Sequence, residues 1–410
     1  MAAPAAATAA AADIPRFRPL PRKEHLNADD AADEYKMYAV APLPPKRDGW
    51  TRVWVDGCFD MLHFGHTNAL RQARGLGPEG KTELFVGCHS DEEICKVKGP
   101  PIMKEDERYE ALRACKWVDY AVENYPYSTR LKDMVRFQVD FVAHGDDVSV
   151  GADGRNSYQE IIDAGKFQVF KRTDGISTTD LVGRMLLCTK NHMVHTPSDD
   201  LSKGAEDHVT KLSYFTTSRK IVQFSNNTSP QPHHKIVYVC GGFDLFHIGH
   251  MRVLQLAREI CPFAYVIAGI CDDKEVNRHK SSTNYPIMNL NERVLGVLSC
   301  KYVDEVVMGV PFAVTDEIID KLGVHFVVGG ATRDPPDPEH HPVEPDYYAA
   351  AKRRGIFRPV DGGCILTTSS LIDRIMEQRQ AFLDRQKKKV VKDKASMDNR
   401  PAEYRNVREV

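Results

Sequence analysis

The chain runs to 410 residues, long for one domain and suited to two or three, and its 42% hydrophobic content is enough for ordinary buried cores. A formal net charge of −2 gives no reason to expect nucleic-acid binding driven by overall charge. Ten cysteines lie scattered, with no Cys-x-x-Cys pair and no His/Cys cluster at zinc spacing, which argues against a disulfide framework or structural zinc and for a reduced, cytoplasmic setting.

In chain order, Met1–Ala12 is almost all alanine and lacks both the basic start of a secretory signal and the arginines of a transit peptide. With the Pro- and charge-rich run that follows, it reads as a disordered tail over 1–49. A first α/β unit is expected over 50–190. Val53–Val55, Leu84–Gly87, Tyr120–Val122 and Phe141–Ala143 are short apolar runs that predict buried parallel strands. Thr67–Ala73 and Arg108–Ala114 carry helical patterns between them, so the alternation predicts a doubly wound sheet with right-handed crossovers. Gly75–Thr82 spells G-x-x-x-x-G-K-T, but it follows a helix and precedes a strand. A phosphate loop needs the reverse order, so it reads as a Gly/Pro turn.

The strongest signal is a repeat. Gly57-Cys58-Phe59-Asp60-Met61-Leu62-His63-Phe64-Gly65-His66 recurs as Gly241-Gly242-Phe243-Asp244-Leu245-Phe246-His247-Ile248-Gly249-His250, at an offset of 184. Glu107-Arg108 and Cys115–Asp119 recur as Glu292-Arg293 and Cys300–Asp304, and Phe141–Gly145 as Phe326–Gly330, all at 185. Ile176–Thr179 echoes Ile365–Thr368 at 189. Four blocks in one order make a tandem duplication, with a polar linker over 191–234, a second unit over 235–380 and a charged tail over 381–410. Within the linker, Ile221–Phe224 is the one apolar piece.

In each unit, His-x-Gly-His follows a strand and opens a helix. Free N–H groups and the helix dipole favour anions there, and the glycine permits close backbone approach. These blocks, with Glu-Arg-Tyr, Lys-Trp-Val-Asp and Arg172-Thr173-Asp174-Gly175-Ile176-Ser177-Thr178-Thr179, resemble the cytidylyltransferase family from about residue 50 to residue 380. The resemblance implies two tandem Rossmann-like nucleotidyltransferase domains that use CTP with Mg²⁺. Tandem copies mark the members of that family that take phosphoethanolamine, whereas members acting on phosphocholine or glycerol 3-phosphate carry one copy.

On that basis His63, His66, Lys98 and Arg172 are the expected catalytic residues. Gly57, Cys58, Phe59, Asp60, Arg108, Ser177 and Thr178 are expected to bind CTP in the first unit. The acceptor phosphate attacks the α-phosphorus in line, so no protein nucleophile is needed, and catalysis rests on positioning and charge stabilisation. Arg172 binds phosphate as a fork that lysine cannot reproduce. No carboxylate cage for Mg²⁺ is visible. Trp117 fits either a cation–π contact with the substrate ammonium or core packing. Asp146 fits either that amine or a turn cap.

The second unit is expected to bind nucleotide through Gly242, Phe243, His247, His250 and Arg293, with Gly329-Gly330-Ala331-Thr332 and Gly362-Gly363-Cys364-Ile365-Leu366-Thr367. It lacks an Arg172 equivalent, and Lys98 aligns nearest Lys280, three residues out of step, so the first unit is expected to be the catalytic one. A class I aminoacyl-tRNA synthetase shares His-Ile-Gly-His but would need a Lys-Met-Ser-Lys-Ser-like loop and an RNA-binding surface, and neither is apparent. A nucleotide-sensing scaffold would not keep an intact first site. The two units are expected to pack as an internal pseudo-dimer, or the chain as a homodimer. The Lys387–Lys394 run offers a possible peripheral membrane contact, at the endoplasmic reticulum, against the commoner outcome of a solvated charge run.

Overall fold

The computed structural model describes residues 45–147, 156–173, 175–187, 218–280, 285–332, 334, 346–384, 407 and 409. The expectations for the alanine-rich start, most of the linker, Asp174 and the Lys387–Lys394 run lie outside the described residues.

The strands of the first unit are β1 (Thr51–Gly57), β2 (Thr82–Cys88), β3 (Tyr120–Val122), β4 (Phe141–Gly145) and β5 (Phe167–Phe170), all parallel, in the order β3-β2-β1-β4-β5. Its helices are α1 (Phe64–Gly75), α2 (Asp91–Lys98), α3 (Glu105–Ala114), α4 (Leu131–Arg136), α5 (Gln159–Asp163) and α6 (Thr178–Leu187). The second unit repeats the plan with β6 (Lys235–Gly241), β7 (Ala264–Cys271), β8 (Glu305–Val310), β9 (Phe326–Gly330) and β10 (Phe357–Val360), ordered β8-β7-β6-β9-β10. Its helices are α7 (Ile248–Glu259), α8 (Asp273–Lys280), α9 (Leu290–Leu298), α10 (Asp316–Leu322), α11 (Ala349–Arg353) and α12 (Thr368–Glu377).

The four predicted strands of the first unit are present, together with β5, whose Phe-Gln-Val-Phe run is too short and mixed to stand out. Alternation along each strand splits its side chains between two cores. Val53 and Val55 join a cluster that also takes Val237 and Val239, so one apolar core serves both units. Trp54 points the other way, into a core private to the first unit, as Tyr238 does in the second.

The shared core lies on a pseudo-two-fold axis. Helix α1 contacts α9, α3 contacts α7, and α6 contacts α12. The Lys116 N–H donates to the Ser299 carbonyl and the Lys301 N–H to the Ala114 carbonyl, both at 2.9 Å, around an antiparallel bridge between Cys115 and Cys300. Arg184 forks onto Glu292 at 2.7 and 2.8 Å, and Arg374 forks onto Glu107 at 2.7 and 2.9 Å. One contact breaks the symmetry. Arg252 pairs with Glu110 at 2.6 Å, whereas the mirror positions hold Asn68 and Leu295.

Two boundaries differ from expectation. Lys46 and Arg47 fall within the expected tail, but Lys46 meets Asp140 at 2.6 Å and Arg47 meets Glu83 at 2.9 Å, tying the chain to the sheet before β1 starts. The linker's end also packs. Residues 218–224 are helical, Phe224 is fully buried against Trp117, and the Lys116 Nζ donates to Asn226 at 2.7 Å. Gly75–Thr82 joins α1 to β2 as a turn, with the Thr82 hydroxyl donating to the Pro78 carbonyl.

Candidate active site

In a parallel sheet of this order, helices leave opposite faces at the β1/β4 step, and a crevice opens at the strand carboxyl ends. There β1 gives way to a turn in which Phe59 and Met61 both take positive φ, 50° each. Phe243 and Leu245 repeat this at 52° and 48°. Bulky residues held left-handed in matched places indicate a turn whose shape is over-determined by its surroundings. His63 then caps α1, its Nδ1 accepting the Gly65 N–H at 3.1 Å, which leaves the ring proton on Nε2 as a donor. Its ring lies 3.9 Å from that of His66, and the His247–His250 spacing is 4.0 Å. Gly65 is required by space: a Cβ there would sit 2.7 Å from the Ile176 side chain, so Ile176 lies directly on the helix start.

Asp60 and Arg108 build the floor. The Asp60 carboxylate accepts the Ile102 and Met103 N–H groups, and its carbonyl accepts the Thr178 hydroxyl at 2.8 Å. Arg108, buried, donates to the carbonyls of Met103, Cys58 and His89 and to Asp91. It was expected on the nucleotide. Its guanidinium is instead committed to the protein, because carbonyls at a buried loop crossing need donors. Arg293 does the same for Met288, Gly242, Cys271 and Asp273, and Asp244 for Ile287 and Met288. These side chains tie together the loops that form the floor of each crevice.

Above that floor the charged groups converge. Burial first, then the charges of Arg172 and Lys98, push His66 down to about 3, so a neutral imidazole lies beside two cations. Arg172, just past β5, donates through Nη1 to Asp147 at 2.7 Å, and its backbone N–H donates to Asp146. Burial raises the Asp147 carboxyl, but the charges of His144, Arg172 and Lys98 outweigh it and hold the group below its ordinary range. Ser177 caps α6, accepting the Asp180 N–H at 3.1 Å. Two helix N-termini, two imidazoles, a lysine and an arginine thus face one crevice, an arrangement suited to a polyphosphate.

The cytidylyltransferase-like family model matches residues 54–199 and 238–341. This chain belongs to that family. Among curated relatives, ethanolamine-phosphate cytidylyltransferase of Dictyostelium discoideum is 49% identical over 352 residues, covering 83% of this chain and 95% of that protein. The enzyme of that name from Mus musculus is 44% identical over 376 residues, 85% and 91% of the two chains. Choline-phosphate cytidylyltransferase 2 of Arabidopsis thaliana is 42% identical over 139 residues, 33% of this chain and 44% of that one, a length that one unit accommodates.

Within this cytidylyltransferase-like chain the second site is built on the same frame with different charges. The strands β5 and β10 align at an offset of 190, which sets Gly362 opposite Arg172, and Leu366 and Thr367 opposite Ile176 and Ser177. The sequence offset of 189 is one short. Leu366 is the buried counterpart of Ile176, and Ile365 is 92% exposed. Thr367 caps α12, and Thr368 donates to the Asp244 carbonyl at 3.1 Å. The Gly362 and Gly363 carbonyls accept from Arg252, and the Cys364 Sγ accepts the Leu366 N–H. Gly329 replaces His144 where a Cβ would meet the Tyr348 ring at 2.8 Å, Gly330 abuts Val253, and Ala331 donates to Val360 ahead of exposed Thr332. Lys98 and Lys280 are the last residues of α2 and α8, so they correspond, and the three extra residues lie between Lys280 and Glu292.

One expected residue is not brought to the site. Trp117 precedes β3, at the opposite end of the strands, where its ring meets Phe224 edge-on at 4.7 Å in the shared core. Asp146 is buried under the Arg172 N–H and Lys171, a strand-end cap within the crevice. Sequence reasoning missed the supporting role of Asp56, which accepts from Trp54, Tyr158 and Thr129 beneath the crevice. A lone acid ending an apolar strand is the only signal it leaves.

Proposed function

We propose that the first unit transfers the cytidylyl group of CTP to phosphoethanolamine, giving CDP-ethanolamine and pyrophosphate, a step in phosphatidylethanolamine biosynthesis. The observation that carries this reading is the meeting of the His-x-Gly-His start of α1 with the start of α6, where a Gly65 Cβ would lie 2.7 Å from Ile176 and Thr178 donates to the Asp60 carbonyl, with the charges of Arg172 and Lys98 acting on His66. A phosphate oxygen of the acceptor forms a bond to the α-phosphorus while the bond to the β-phosphate oxygen breaks, and the displaced charge leaves as pyrophosphate. His63 and His66 donate to the α- and β-phosphates, Lys98 neutralises the entering or departing phosphate, and Arg172 exchanges Asp147 for a phosphate fork. Gly57, Cys58 and Phe59 supply the turn that shapes the nucleotide side, and Ser177 and Thr178 its opposite wall.

Among the described residues no group of three or more His, Cys, Asp or Glu side chains could hold a metal ion. No step here depends on a protein-held Mg²⁺. Mg²⁺ is read as entering on the oxygens of CTP. Among the described residues no helix is long and apolar enough to cross a membrane.

The test offers CTP and Mg²⁺ with phosphoethanolamine, phosphocholine and glycerol 3-phosphate in parallel and measures pyrophosphate. Release with phosphoethanolamine far above the others supports the reading, preference for phosphocholine would reassign the acceptor, and silence with all three would overturn it. In the same assay Arg172→Ala is expected to lose about 10²–10³ in kcat, the scale of one transition-state charge contact.

A further inference from the structure

The second crevice contains an acid. Asp334 meets the Lys280 ammonium at 3.0 Å, accepts the Ser369 N–H in the first turn of α12 at 3.4 Å, and bonds to the capping Thr367 hydroxyl. Lys280 corresponds to Lys98 and Thr367 to Ser177, so the carboxylate sits on the counterparts of two groups of the first unit's phosphate cradle. It is mostly buried there, with 11% of its side chain exposed. At the start of α7, neither ring nitrogen of the buried His247 has a hydrogen-bond partner within the protein, so a donor stands unused there. The charge of Asp334 acts on His250, where those of Arg172 and Lys98 act on His66.

A carboxylate on a lysine and a helix N-terminus satisfies the same donors as a phosphate oxygen. It also repels one. We propose that Asp334 is an internal stand-in for phosphate in the second unit, a specificity-determining residue that leaves room for the cytidine part of a ligand while discriminating by charge against its phosphates. The inference rests on the reading of the second unit as a nucleotide site. The two crevices place their acids differently: Asp147 pairs with Arg172 in the first, whereas Gly362 and Thr332 stand at those two positions in the second and Asp334 pairs with the lysine itself.

The test uses the full chain carrying His63→Ala and His66→Ala, so that binding reports on the second crevice, and compares it with the same chain carrying Asp334→Asn or Asp334→Ala. Equilibrium dialysis with labelled CTP and labelled cytidine reads each affinity. Release of the cradle is expected to tighten CTP about tenfold or more while cytidine stays within about twofold. Unchanged or weakened CTP binding alongside intact cytidine binding in both variants would overturn the stand-in role. Binding of neither probe to any of these proteins would overturn the nucleotide reading of the second unit and the proposal with it. Adding His247→Ala should abolish whatever binding is seen, which confirms the crevice being measured.

Discussion

At the scale of single residues, the site depends on histidines that the fold keeps neutral. Burial lowers His66 to about 3, His250 to about 4, and His247 and His89 below their ordinary value. In the unfolded chain these imidazoles titrate near 6.5, so below that pH the unfolded state binds protons that the folded state refuses. Stability is therefore complete above about pH 6.5 and falls as pH drops toward 3, by at most about 1.4 kcal/mol per pH unit for each histidine. Denaturant unfolding at stepped pH checks this: His66→Gln should flatten the slope between pH 6 and 4, and an unchanged slope would mean that His66 charges freely. The motif itself was legible because its residue types and spacing state their chemistry. The roles of Arg108 and Arg293 were not, since an arginine that solvates carbonyls and one that binds phosphate look identical in sequence. Only the burial of the guanidinium separates them.

Among the elements, the capped helices hold the two units in register. The Arg374 fork on Glu107 ties α12 to the start of α3, next to Arg108 and hence to the floor of the first crevice. Arg374→Ala is expected to lower the unfolding free energy by about 1.5–3 kcal/mol, the range for hydrogen bonds to charged groups. A double-mutant cycle with Glu107→Ala should show a coupling of at least about 0.5 kcal/mol; additivity would mean that the fork contributes nothing. Strands β1 to β4 and the cores of α1 and α3 could be read from apolar runs and periodicity. The helix over 218–224 could not, because its partner Trp117 is about a hundred residues away in sequence, and the only clue was the short apolar run Ile221–Phe224. The one-residue error at Leu366 has a similar cause: chemically similar Ile365 stands next to it, and burial decides between them.

For the molecule as a whole, a core shared between the units predicts one cooperative unfolding transition. Calorimetry of the full chain should show a single peak, and two well-separated peaks would contradict the shared core. The duplication was plain in the sequence, and so was the prospect of a pseudo-dimer, but the axis, with its reciprocal arginine forks, appears only when distant residues are brought together. Fusion has a further effect at that axis. In a dimer of identical chains each substitution is made twice and must suit both sides. Here the Glu110–Arg252 pair exists once, and the two faces have become different keys. Two first units meeting across this axis would set Glu110 against Asn68, and two second units would set Arg252 against Leu295, losing the ion pair in either case. The first unit is thereby made to prefer a second unit over its own kind, which favours pairing within one chain over the swapped assemblies that duplicated domains otherwise invite.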